Sequence, residues 1–285
     1  MPDRILHEAN RASWNAATRA HNSHKGDQAR FLRQGGCTLF PEELALLGPL
    51  EGLDLVHLQC NAGQDTLSLA RRGARVTGVD ISDEAIAVAQ ALADDSAIPG
   101  TFVRSDVYDW LATTVDRFDV AFSSYGALCW LSDLRTWARG VAQVLRPGGR
   151  LVVVDFHPLA AMLDEDWQFR HPYASNGQAL EFPEGISDYV AGSAGALVPW
   201  GYEPGLQGFR NPHPAHEFFW SLGDIVTAVL RAGLRLEALD EYPWSNGCQL
   251  LPGMRPLEGR RFGSPEGLPE IPLMYGLSAH KTASA

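Results

Sequence analysis

LDLVHLQCNAGQDTLSLARRGARVTGVDIS, residues 53–82, decides the reading of this chain. Its first apolar run, at residues 55–58, has the length of a buried strand, and a small, polar turn follows at Cys60-Asn61-Ala62-Gly63. An amphipathic segment over residues 66–72 closes at Gly73, and a second apolar run, residues 76–79, ends on Asp80. Strand, loop, helix and strand in that order form the unit with which parallel α/β sheets hold a nucleotide-like ligand. The helix amino terminus faces the ligand, and an acid at the tip of the second strand accepts hydrogen bonds from ribose hydroxyls.

Downstream the alternation continues. Ser82 is the expected N-cap of a helix over residues 83–93, with Asp83 and Glu84 in its first turn. Thr101–Arg104 reads as a third strand ending at Ser105-Asp106, residues 109–113 as a helical turn, and residues 118–123 as a fourth strand. A helix over residues 131–145 is expected to stop at Arg146-Pro147-Gly148-Gly149, ahead of a near-continuous apolar strand at residues 150–156. The pattern then breaks over residues 157–218, roughly 60 residues rich in proline, glycine and aromatics, which reads as a functional insertion. Ser221 and Asp224 make a capping-box pattern for a helix to Arg231, followed by a strand at 234–241, a loop at 243–269 and a last strand at 271–280.

Upstream, residues 1–48 read as helical, with pieces at 8–20 and 41–47 around a polar loop containing Arg33-Gln34-Gly35-Gly36. They serve either as helices packed outside the sheet or as a lid over the ligand. The expected organisation is therefore an N-terminal helical lid segment (1–48) and an α/β domain (49–285), with 157–218 as a substrate-cap insertion.

Composition narrows the partners. The 285 residues carry a net charge of −11 without a basic run, which argues against nucleic acid. Cys37, Cys60, Cys129 and Cys248 never approach a metal or redox spacing, so no metal is expected and a reduced, cytoplasmic setting fits. The amino terminus lacks a signal-peptide core, and no apolar run reaches the ~18 residues of a membrane span. A monomer or homodimer acting on a small molecule is the expectation.

Five features in order, the loop ending at Gly63, Asp80, Asp106, the Phe118-Asp119-Val120 strand start and the Leu145-Arg146-Pro147-Gly148-Gly149 turn, resemble the class I S-adenosylmethionine-dependent methyltransferases. The resemblance implies a Rossmann-like, doubly wound seven-stranded sheet with the last strand antiparallel. It implies S-adenosylmethionine as cofactor and S-adenosylhomocysteine as product, with methyl transfer to an O or N nucleophile. Carried over by position, Asp80 with Ile81 beside it holds the ribose, and Asp106 and Val107 contact the adenine. Gly63 lets the backbone approach the methionine part, and Ser123 lies near the reacting methyl.

The loop departs from the family's acid-x-Gly-x-Gly-x-Gly: the corresponding residues are His57, Gln59, Asn61 and Gly63. It is similar to the H-L-Q-C loop of some bacterial small-molecule methyltransferases. Asn61 is the mildest change, because asparagine tolerates positive φ. His57 removes a partner for the cofactor's ammonium. Asp65 either supplies the missing negative charge or caps the following helix.

For catalysis, His157 at the carboxyl end of the fifth strand is the first candidate base, and His216 the second. Each has a structural alternative, as a turn histidine before Pro158 or a packing residue. Tyr125 either donates to the nucleophile or walls the pocket. Two other functions share parts of this pattern: a binding protein that holds the cofactor without transferring its methyl, and an NAD-dependent oxidoreductase. The oxidoreductase normally needs a glycine where Thr66 stands. The Asn/Asp-Pro-Pro-aromatic motif of DNA methylation and the clustered acids of metal-dependent catechol methylation are both missing after the fourth strand.

Overall fold

A computed structural model describes residues 2–282. Strands β1 (Asp54–Leu58), β2 (Arg75–Asp80), β3 (Thr101–Arg104), β4 (Phe118–Ser124) and β5 (Leu145–Phe156) follow the apolar runs. The insertion contributes β6 (Ala179–Phe182) and β7 (Ala215–Phe218). Beyond it come β8 (Leu234–Tyr242), β9 (Trp244–Asn246), β10 (Arg255–Leu257), β11 (Arg261–Gly263) and β12 (Met274–Lys281). The helices before the insertion are α1 (Arg4–Ser23), α2 (Gln28–Arg33), α3 (Pro41–Leu47), α4 (Gln64–Ala70), α5 (Asp83–Ser96), α6 (Val107–Thr113) and α7 (Leu134–Val144). Within and after it are α8 (Pro158–Ala161), α9 (Tyr189–Ser193) and α10 (Leu222–Arg231).

One sheet of seven strands runs in the order β3-β2-β1-β4-β5-β12-β8. β1 to β5 pair in parallel, and β12 lies antiparallel between β5 and β8. Helices on both faces bury its central strands, which explains their unbroken apolar runs. Alternate residues serve opposite faces: Val56, Leu58 and Val153 join the core of Trp137 and Val141 from α7, while Leu55, Phe122 and Val154 join that of Leu47 and Leu69.

Helix ends obey the residues that cap them. Ser82 Oγ accepts the Ala85 N–H, and Ser221 with Asp224 closes a reciprocal capping box on α10. The seventh helix differs from expectation at both ends. A single 3-10 turn, Leu128–Trp130, precedes it, and Asp133 caps its true start by accepting from Thr136 N–H at 3.0 Å. It ends at Val144, where the chain passes directly into β5 and Pro147-Gly148-Gly149 forms an irregularity within that strand. The expected loop at 243–269 holds a three-stranded antiparallel sheet, β10-β11-β9.

Polar anchors bind α1 on two sides. Arg4 and His7 reach Asp106, Asn15 reaches Asp83 and Ser82, and Arg19 reaches Glu84. Toward the insertion, Asn10 exchanges two hydrogen bonds with the His216 backbone (2.8 and 2.7 Å), and Asn211 donates to Ser13 O at 3.0 Å. α1 thus spans from the β2–α5 and β3–α6 junctions to β7. Among the described residues, no helix is long and apolar enough to cross a membrane.

Gly63 shows how closely the layers pack. Its φ is +79°, and an added Cβ would come within 2.7 Å of Ala89 Cβ and 2.9 Å of the Phe102 ring. Gly63→Ala should therefore destabilise the fold by roughly 1–3 kcal/mol through strain and overpacking, measured as a lower denaturant midpoint at unchanged slope.

Candidate active site

The carboxyl ends of β1, β2, β4 and β5 open onto a cavity of about 680 Å³, roofed by α1 and the insertion. At one end stands Asp80. Its two carboxylate oxygens each accept one backbone N–H, from Asn61 and from Ser82, both at 2.8 Å. Burial raises its pKa, and the N–H groups of Ser82, Asn61 and Ile81 oppose that rise. The carboxylate keeps lone-pair capacity for a ligand hydroxyl.

Why the loop lacks glycines becomes clear from its backbone. Gln59 (φ +57°) and Asn61 (φ +48°) occupy the left-handed region for which glycine is the default. Side-chain bonds offset the strain: Gln59 Nε2 donates to Ala127 O at 2.6 Å, and Asn61 Oδ1 accepts from Ala62 N–H at 2.6 Å. His57 lies between Thr66 Oγ1 (2.9 Å) and Ser124 Oγ (3.3 Å), and burial brings its pKa down to about 3. It is a neutral hydrogen-bonding residue.

Asp65 does not cap its helix; Gly63 occupies that position without a side-chain bond. The Asp65 carboxylate accepts the Thr38 hydroxyl and faces the cavity. Burial raises its pKa, opposed by the Thr38 bond and by the charges of Arg260 and Lys25. Lys25, also on the wall, is brought down to about 8 by burial.

Asp106, Val107 and Ile81 all line the cavity. The Asp106 carboxylate is already engaged by Arg4 (2.7 Å), His7 (2.7 Å) and the Tyr108 N–H (2.8 Å). Burial would raise its pKa, but the His7 bond and charge, the Tyr108 N–H and Arg4 together hold it below the usual carboxylate value.

Four expected positions fall differently. Ser123 is fully buried off the cavity wall, and Gly63 is turned toward Ala89 and Phe102 rather than toward a ligand. His157 lines the cavity, but its Nδ1 accepts the Leu159 N–H (3.0 Å) and its Nε2 stands 2.8 Å from Glu241 Oε1. Nδ1 is thus taken up within the fold, and Nε2 pairs with the Glu241 carboxylate. His216 is not among the residues lining the cavity, whereas its neighbour Glu217 is.

Tyr125 does reach the wall. Its backbone has φ +32°, its hydroxyl accepts from Asn246 Nδ2 at 3.0 Å, and its ring packs on Phe156. Burial and the nearby Glu43 keep the phenol well above its ordinary pKa, so it stays neutral.

Glu217 went unread in the sequence as a site residue. No hydrogen bond or ion pair engages its carboxyl among the described residues. Glu217 lines the cavity, and burial raises its pKa to about 7. Strand alternation was the available signal, since it places His216 and Glu217 on opposite faces.

A parallel sheet with one antiparallel strand set between β5 and β8, and a strand-end acid lining the cavity at its carboxyl edge, places the chain in the α/β class. Residues 56–153 match the methyltransferase domain family. The chain is similar to ubiquinone biosynthesis O-methyltransferase of Methylobacterium sp. (strain 4-46), 29% identical over 138 residues, covering 48% of this chain and 55% of that protein. It therefore spans about half the length of the curated relatives it matches. Its fold is similar to an S-adenosylmethionine-dependent methyltransferase from Mesorhizobium loti (TM-score 0.54, 22% identity, 87% of this chain and 99% of that one). It also resembles the CcbJ methyltransferase from Streptomyces caelestis (TM-score 0.60, 15% identity, 96% and 99%). Residues 56–153 thus match a methyltransferase domain, and the chain shares the fold of S-adenosylmethionine-dependent methyltransferases.

The buried histidines make stability depend on pH. His57 titrates at about 3 and His21 at about 4 in the fold, both lowered first by burial, against about 6.5 unfolded. Only the unfolded chain takes these protons, so their contribution is intact above about pH 6.5 and is lost as pH falls toward those folded values. Each should add about 1.4 kcal/mol per pH unit to the slope in that window. Urea unfolding of His57→Gln should show a shallower slope than the wild type; equal slopes would contradict the assignment.

Proposed function

We propose that this protein transfers the methyl group of S-adenosylmethionine to an oxygen or nitrogen of a small molecule enclosed in the cavity. The observation that carries the reading is the Asp80 cradle: a carboxylate oriented by two backbone N–H groups at a strand tip, with lone pairs turned to the cavity. When bound, S-adenosylmethionine supplies an electrophilic methyl on a sulfonium sulfur.

The residues present fit that cofactor. Asp80 would hold the ribose hydroxyls, while Ile81 and Val107 flank the adenine. Gln59 Oε1, buried and without a partner, faces the need for an acceptor that the missing acid leaves. Asp65 adds negative charge on the same wall, and Lys25 offers a cation to a carboxylate. An in-line displacement asks mainly for alignment at about 3 Å and exclusion of water. α1 and the insertion supply both, through the bonds of Asn10 to the His216 backbone and of Asn211 to Ser13. The relatives named as O-methyltransferases weigh toward oxygen as acceptor atom.

Strand order favours this reading over an NAD-dependent oxidoreductase. The dinucleotide fold runs 3-2-1-4-5-6 with its strands parallel, whereas here β12 lies antiparallel between β5 and β8.

Titration calorimetry with S-adenosylhomocysteine tests the reading. The full chain should bind it, and Asp80→Ala should weaken binding by about 1.5–3 kcal/mol, the size of a hydrogen bond to a charged group. Binding of NAD without S-adenosylhomocysteine would end the methyltransferase reading, and an unchanged affinity in the variant would move the cofactor elsewhere.

A further inference from the structure

Resting on that reading, we propose that Glu217 receives the acceptor's proton, and that the acceptor is an aromatic molecule presenting a hydroxyl or amine to it.

Position is the first ground. The loop after β4 is fixed from both sides: Gln59 donates to Ala127 O (2.6 Å), and Asp155 accepts the N–H groups of Ala127 (3.2 Å) and Leu128 (3.1 Å). β7, which carries Glu217, packs against the Leu128–Trp130 turn of that loop. Glu217 therefore stands across from the segment that Gln59, of the cofactor loop, holds in place. Its own backbone is clamped as well. Leu180 of β6 pairs opposite it, and Asn10 of α1 bonds both backbone groups of the adjacent His216. A group held this way is preorganised for a reacting atom.

The second ground is what surrounds it. His171, Tyr173, Phe182, Phe219 and Trp220 line the same cavity. The Phe182 and Phe219 rings stack at 6.5 Å, His171 meets Phe219 edge-on at 5.9 Å, and the Trp220 indole is anchored to Leu131 O at 2.9 Å. Such a wall suits a flat apolar body. A carboxyl facing it without a partner is costly to keep, since buried acids are ordinarily paired. A protic ligand completes it. The Cys129 thiol does not compete: burial and the charge of Glu217 keep it well above its ordinary pKa and so protonated.

The step balances. The acceptor's oxygen or nitrogen forms its bond to the methyl carbon as the methyl–sulfur bond breaks, leaving its electron pair on sulfur. The acceptor's proton passes to a Glu217 carboxylate oxygen and from there to water. Removing a carboxyl that burial penalises should not lower stability, so Glu217→Gln is expected to fold.

Calorimetry on the full chain saturated with S-adenosylhomocysteine, using phenol, benzylamine and toluene as probes, tests the proposal. The wild type should bind phenol and benzylamine more tightly than toluene. Glu217→Gln should lose roughly 10-fold or more on the two protic probes, with toluene and S-adenosylhomocysteine unchanged. Equal binding of phenol by variant and wild type, a loss confined to benzylamine (a counter-ion only), or no aromatic binding by the wild type would each overturn it. Failure of S-adenosylhomocysteine to bind the wild type would instead overturn the cofactor reading, so the two failures are distinct.

Discussion

The pair of hydrogen bonds from Asn61 and Ser82 N–H to the Asp80 carboxylate joins three parts of the fold at one point. It ties the loop after β1 to the tip of β2 and to the start of α5. Without it the loop would have to hold two side-chain-bearing residues at positive φ by local bonds alone. The carboxylate repays its burial through those N–H groups, and the same bonds aim its free lone pairs. Strain in the loop and orientation of the acid are thus one constraint.

α1 extends that constraint across the cavity. Its charged face meets acids at helix starts, Asp83 and Glu84 on α5 and Asp106 on α6. Exposed pairs of this kind contribute little individually. The buried His7–Asp106 contact at 2.7 Å is different, because losing either partner would leave a polar group without compensation. On its other face α1 bonds backbone groups of the insertion, so one helix sets the distance between the Asp80 end and the Glu217 end.

Periodicity and capping made the β1–α4–β2–α5 unit legible, since its apolar runs and Ser82 act locally. The seven-strand topology followed from the resemblance, because no local signal says that β12 inserts between β5 and β8. Strands of three residues, β9 to β11, carry too few alternations to register as a period. Side-chain direction was the larger gap. His157 looked free because its partners, Leu159 N–H and Glu241, come from a following turn and from a strand far along the chain. His216 drew the reading as a titratable imidazole, yet its neighbour faces the cavity. Such contacts depend on register, which a sequence does not display.

Three carboxyls that line the cavity show how environment assigns chemistry. Asp80 receives backbone N–H groups, which suits fixed binding of hydroxyls. Asp65 receives a hydroxyl and the field of Lys25 and Arg260, which suits a charged ligand end. Glu217 receives nothing from the described residues and sits at about 7. Burial acts on all three in the same direction. The difference lies in the compensation, and the least compensated carboxyl is the one best matched to gaining and losing a proton near neutral pH.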